Sequence, residues 1–174
     1  MCEQIGLQSP EDASHPHLHA IWARDRLDLS PAQYEAKVAT IKDLEKVWGA
    51  VNTVLREEKS PRWGQDNTIL LDDSSEKAKL QPYNHLKLPS YDHSAAMLEQ
   101  SDDLNGGDSG LLQAVAALEA VRRESNVSNR IRNGAFAGVG EKEAGKWTLR
   151  GKQRLQELCI EEQKDFNLNW PTKV

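Results

Sequence analysis

Two adjacent carboxylates, Asp72 and Asp73, end the apolar run "NTILLDD". Paired oxygen donors at the end of a buried strand suit Mg²⁺, which keeps several waters and shares itself with a substrate phosphate. The same pair, followed by Ser74, Ser75 and Glu76, also has the spacing of a helix cap in a solvated turn. Lys42 lies between Ile41 and Leu44 at the border of an apolar stripe. Its long side chain is able to reach a strand end, although its spacing alone favours a surface lysine of a charged helix. His15, His17 and His19 alternate like metal ligands, but Pro16 interrupts them and no carboxylate or cysteine stands at ligand spacing, which favours a loop running into a strand. Residues 140–146 spell G-x-x-x-x-G-K; Trp147 stands where a phosphate-binding loop needs Ser or Thr and no strand precedes it, so that motif is rejected. Asn126 opens an N-x-S sequon with nothing else pointing to secretion.

The elements that must position these groups are read from periodicity. "HLHAIWAR", 17–24, is dense in apolar residues and predicts a short buried strand. Ser30 as cap, Pro31 at the first helical position and Gln33 three residues after the cap open a helix over 31–56, with Tyr34, Val38, Ile41, Leu44 and Val47 or Trp48 on one face. A second strand over 67–73 is followed by a short helix capped at Asp73 and ended before Pro82, and "HLKLP", 85–89, is a third strand. Residues 99–110 read as loop. The cleanest helix covers 109–125, with Leu111, Val115, Leu118 and Val121 on its buried face, and one more helix is expected near 148–159. Strands alternating with helices predict a parallel α/β sheet, in which functional groups lie just beyond the carboxyl ends of the strands. Asp72 and Asp73 sit at such an end.

A chain of 174 residues supports one core. Lys plus Arg total 22 against 27 Asp plus Glu, a net charge of -5 with the basic residues scattered, so nucleic acid is not expected as a direct partner. No apolar run reaches the roughly 18 residues of a membrane span. Cys2 and Cys159 match neither a disulfide framework nor a zinc spacing, and a reducing compartment is expected. The first residues show no basic region or apolar stretch of a targeting signal, so no targeting is expected if Met1 is the start.

"TILLDDSSEKAKLQPYNHLKLPSY", together with "LHAIWARDRLDLS" and "KDLEKVW" before it, resembles the RNA polymerase C-terminal-domain phosphatase homology domain of the haloacid dehalogenase superfamily, also called the NLI-interacting-factor-like domain. The combination of DD-S-x-x-K-A and Q-P-x-N carries the resemblance, which runs over about 1–91, and 111–132 is similar to the helix that follows in the family. The resemblance implies an α/β fold, here the C-terminal part of a haloacid-dehalogenase-like parallel sheet with flanking helices. It implies a partial phosphatase homology domain over 1–125, followed by an extension over 126–174. It also implies Mg²⁺-dependent phosphatase chemistry through an aspartyl-phosphate. Lys42 would neutralise charge on the nucleophile and the transferring phosphoryl group. Asp73 would be the direct Mg²⁺ ligand, with Asp72 acting through water or from behind it.

The sequence departs from the family in one decisive respect: no D-x-D-x-T occurs in it. "MCEQIGLQ" matches a helix that follows the family's second motif, so the first two core strands are expected to be missing, leaving open sheet edges. Residues 49–66 look like an insertion. Without its nucleophile the chain is expected to be inactive, with Mg²⁺ weak or absent. The implied partner is a phosphoprotein substrate, in a nuclear, mitochondrial or other intracellular setting. The competing expectation is a non-catalytic module that binds a translocating polypeptide, like the inner-membrane subunit of the mitochondrial protein-import translocase.

Overall fold

A computed structural model of the chain describes residues 20–36, 38–54, 62–90, 109–140 and 142–160. The expected strand over 17–24 is not formed where it can be seen. Residues 20–23 are irregular and Arg24–Arg26 is a single 3-10 turn. The Arg24 guanidinium donates to the carbonyls of Gln33 and Val38 at 3.1 and 3.0 Å, which folds the segment against the next element instead of against a sheet.

Helix α1, Pro31–Glu35, opens as predicted, with the Ser30 hydroxyl accepting from the Gln33 N–H and the Gln33 side chain accepting from the Ser30 N–H. It does not continue to residue 56. The chain leaves the helix, and α2, Leu44–Val54, starts afresh. Val38, Thr40 and Ile41 lie in the break, where branching at Cβ weakens helix preference. Tertiary bonds then fix the extended path: the Lys42 N–H donates to the Lys77 carbonyl at 2.8 Å, and the Leu44 N–H to the Gln81 side chain at 3.1 Å. Tyr34 and Ile41, assigned to a buried stripe, are exposed, and Leu44 is buried.

Strand β1, Leu70–Asp72, pairs in parallel with β2, His85–Lys87, in the register Leu70 with His85, Leu71 with Leu86 and Asp72 with Lys87. The connection between them is near the lower limit of about a dozen residues for a parallel crossover. It is too short for the helix expected after Asp73. Successive turns take its place, closed by Lys77 N–H to Ser74, Ala78 N–H to Ser75 and Gln81 N–H to Ala78, and then by a 3-10 turn, Pro82–Asn84. The capping carboxylate is that of Asp72, which accepts from the Ser74 N–H at 2.9 Å.

Helix α3, Ser109–Val121, begins where the cleanest helix was expected and ends four residues before 125; residues 99–108 lie outside the described residues. Its buried face is only partly the expected one: Val121 is buried as expected, Leu111 and Leu118 are not. Gly110, Gln113, Ala114, Ala116, Ala117 and Val121 are buried, while Leu111 is 62% exposed and Leu118 38%. Helix α5, Ala144–Glu157, packs along α3, with Gly151 against the Leu112 backbone and Trp147 among the alanines. α5 begins four residues before the expected 148. Between them lies α4, Val127–Arg132, capped by the Asn126 side chain, which accepts from the Asn129 N–H at 2.7 Å. The Val127 N–H donates to the Asp66 carbonyl at 2.8 Å and Arg132 lies over the Tyr83 ring, so α4 holds the approach to β1.

The core joins the sheet to the helical pair. Leu86 of β2 meets Ala114, Ala116 and Ala117 of α3, Val139 and Trp147, with Ile69, Leu88 and Phe136 packed around them. Trp147, which excluded a phosphate loop in the sequence, is a core residue; its indole N–H donates to the Ala137 carbonyl at 3.2 Å. The architecture is mixed α/β: a small two-stranded parallel sheet with flanking helices. Among the described residues no helix is long and apolar enough to cross a membrane. Cys159 is exposed and free.

Candidate functional site

The apolar residues of β1 carry the chain to the sheet's carboxyl end, where Asp72 is the last residue of the strand. Its side chain is only 2% exposed. A carboxylate is kept ionised at such depth only with compensating charge and hydrogen bonds. Lys42 Nζ lies 2.6 Å from Asp72 Oδ2; Oδ1 accepts from the Ser74 N–H and stands 3.2 Å from Lys77 Nζ. Asp73, 44% exposed in its side chain, takes Lys77 Nζ on Oδ1 at 3.2 Å and the Ser90 hydroxyl on Oδ2 at 2.9 Å. Two carboxylates thus face two ammonium groups.

Lys42 reaches this point from a different part of the chain because the crossover holds it there. Its own N–H is bonded to the Lys77 carbonyl. Gln81 grips the following turn from both ends of its amide, accepting from the Leu44 N–H and donating to Asp43 Oδ1 at 3.2 Å. Asn84, 3% exposed, donates to the carbonyls of Gln65 and Thr68 at 2.8 and 2.7 Å, tying the segment before β1 to the residue before β2. The Asp72 carbonyl accepts from the Leu88 N–H and lies 3.0 Å from His85 Nε2. On its other side Lys42 helps line a cleft of about 400 Å³ with Trp22, Arg24, Ile41, Val47 and Leu70.

Burial alone would raise the Asp72 pKa. The Lys42 ammonium, then the Ser74 N–H and the neighbouring side chains, outweigh it and hold the carboxyl well below the usual carboxylate range. The Lys77 ammonium is held above its usual value by Asp73 first and Asp72 second. For a carboxyl with a depressed folded-state pKa, the stabilisation is complete above its unfolded value and is lost as the pH falls towards the folded one. The wild-type chain is therefore expected to lose stability steeply below about pH 4, near the ordinary Asp pKa. Asp72→Asn should be less stable at neutral pH and fall less steeply in acid. Urea melts between pH 7 and 2 check this; parallel curves for the two chains would remove Asp72 as the responsible group.

The three residues singled out in the sequence, Lys42, Asp72 and Asp73, meet in one cluster. Lys77 and Ser90 had no assigned role. Lys77 was detectable from its spacing, four residues after Asp73, which matters wherever the backbone coils. Ser90 follows Pro89 in an irregular segment and has no local signature. His15, His17 and His19 lie outside the described residues, and Asn126 is the cap of α4.

Whether this donor set fits Mg²⁺ is decided by its present partners. Among the described residues no group of three or more His, Cys, Asp or Glu side chains is placed to hold a metal ion. The two carboxylates that are present already accept from nitrogen or hydroxyl donors on every oxygen. As arranged, the residues do not form a Mg²⁺ site.

No family model matches the chain, and no solved structure matches it. A curated relative does match: it is an uncharacterized FCP1 homology domain-containing protein of Schizosaccharomyces pombe, 36% identical over 74 residues. The matched stretch is 42% of this chain and spans 30% of the relative's length. That likeness supports the resemblance to the phosphatase homology domain drawn from the sequence: over part of its length, this chain is similar to an FCP1 homology domain protein.

Proposed function

We propose that this chain is part of a haloacid-dehalogenase-like phosphatase domain directed at phosphoserine or phosphothreonine in proteins, and that it carries the lysine and the acid pair of that site. The observation that carries the reading is Lys42 Nζ at 2.6 Å from Asp72 Oδ2, at the carboxyl end of a parallel strand. An ammonium group pinned to a buried carboxylate is a fixed positive charge beside an open cleft. Such a charge stabilises a phosphoryl group better than a mobile one, because it is already oriented when charge develops. Asp73 is the carboxylate of the pair that meets solvent.

Phosphoryl transfer through a covalent intermediate needs a positioned carboxylate nucleophile. No D-x-D-x-T occurs in this sequence, so the chain by itself is expected to hydrolyse neither p-nitrophenyl phosphate nor a phosphoserine peptide above background. Capture of the endogenous protein with an antibody, followed by mass spectrometry of its N-terminus and an assay of the captured material, tests the reading. A longer product that carries D-x-D-x-T and loses activity on Lys42→Ala supports it. A product beginning at Met1, or one whose activity is indifferent to Lys42, would sink it and leave the polypeptide-binding role as the better account.

A further inference from the structure

The acid pair carries four carboxylate oxygens, and Lys77 serves two of them. Its Nζ stands 3.2 Å from Asp72 Oδ1 and 3.2 Å from Asp73 Oδ1, bridging the two carboxylates. The crossover puts it there: turns closed at Ser74 and Ser75 bring residue 77 back over the strand end, and the Lys77 carbonyl is held by the Lys42 N–H. Lys42 takes the remaining Asp72 oxygen, so the cluster is electrically balanced without a metal.

We propose that Lys77 is the resident cation of this strand end, and that divalent ions bind the chain weakly because its ammonium occupies their place. The inference rests on the reading of Asp72 and Asp73 as a phosphatase-type acid pair, but the displacement itself requires no turnover. With Lys77 removed, two carboxylates and the Ser90 hydroxyl would face a gap with only Lys42 to balance them, a set of hard oxygen donors suited to Mg²⁺ or Mn²⁺. Lys77 is 37% exposed, so solvent screens its repulsion of an incoming ion and the block is competitive.

The experiment is calorimetric titration of the full chain with MgCl₂ and with MnCl₂, comparing wild type, Lys77→Met and Lys79→Met. Lys79 is exposed, and its removal changes the net charge equally. The expected result is a gain in affinity on the order of tenfold for Lys77→Met, from the loss of a like charge at contact distance, with wild type and Lys79→Met both weak. Equal gains in both variants would mean a general charge effect and overturn the proposal. So would an unchanged Lys77→Met, or a wild type that already binds as tightly. If Lys77→Met fails to fold in chelator, restoration of its circular dichroism and cooperative melt by MnCl₂ supports the proposal, and failure of restoration overturns it. Because metal binding is read directly, a negative phosphatase assay leaves this result intact, and the reverse also holds.

Discussion

Gly151→Ala is expected to destabilise the chain by about 3 kcal/mol or more, the upper end of what overpacking costs. A Cβ at position 151 would lie 1.9 Å from the Leu112 carbonyl oxygen, 2.6 Å from its carbon and 3.1 Å from the Leu112 Cα. None of these atoms is the tip of a side chain that can swing away. The methyl must push α5 off α3 as a body, opening the contact that buries Ala116, Ala117 and Trp147. Helix propensity acts the other way, since Ala is preferred to Gly in a helix by up to about 1 kcal/mol. Gly145→Ala isolates that term, because nothing lies within 4 Å of a Cβ there. Gly145→Ala should therefore raise the urea midpoint, and Gly151→Ala should lower it and weaken the near-ultraviolet signal of Trp147. Similar midpoints in the two variants would mean that the helices do not approach as described.

The second large effect is expected at Asn84. Its amide is nearly inaccessible and satisfies two carbonyls, those of Gln65 and Thr68. Asn84→Ala strands both acceptors, and at about 1–3 kcal/mol for each buried unsatisfied group the loss should be about 2–4 kcal/mol. Asn84→Asp is the sharper probe because its shape is unchanged. At neutral pH it points a carboxylate at two carbonyl oxygens, a repulsion in a buried place, so it should be worse than Ala. On acidification the protonated carboxyl can donate one of the two bonds, and the variant should regain stability between pH 7 and 4, a range over which wild type changes little. Urea midpoints of the three chains from pH 7 to 4 decide the matter. An Asn84→Asp chain whose midpoint stays as flat as that of wild type over this range would show that the amide is not the donor to these carbonyls.

The positions that could be read from the sequence were those whose determinants are local. Ser30 and Gln33 form their capping box wherever they occur in that spacing, and the start of α1 came out as expected. The apolar run ending at Asp72 and the short run after Asn84 became the two strands. The spacing of Tyr34, Val38, Ile41 and Leu44 mimicked one long helix, but the bond from the Lys42 N–H to the Lys77 carbonyl and that from the Leu44 N–H to the Gln81 side chain decide the path through residues 42–44. Periodicity carries no information about such distant partners. On α3 the strongest apolar residues suggested the buried face, whereas Leu86, Val139 and Trp147 cover the alanines and Leu111 and Leu118 are left towards solvent. At the site, Lys42, Asp72 and Asp73 stood out by charge at the edge of apolar runs. Lys77 stood in the DD-S-x-x-K-A motif without a role, because its approach to Asp72 depends on how the crossover coils.

The bond from the Leu44 N–H to Gln81 spans 37 positions of chain, and the one from Gln81 to Asp43 spans 38. A helix normally finds the partner for its first free N–H groups within a residue or two, before the rest of the molecule exists. Here the Glu45 N–H is met locally by Asp43 Oδ1 at 3.1 Å, but the Leu44 N–H at the start of α2 takes its partner from the crossover between the strands. During synthesis from the N-terminus, α2 leaves the ribosome well before Gln81 does, at roughly 5–20 residues per second. Lys42 consequently cannot take its final position while α2 is young; it is set only when the turns that also deliver Lys77 have closed. The electrostatic centre of the protein is therefore a late event in its folding, and changes in the crossover should be felt in how quickly that centre is completed after the chain is released, as well as in how tightly it is held.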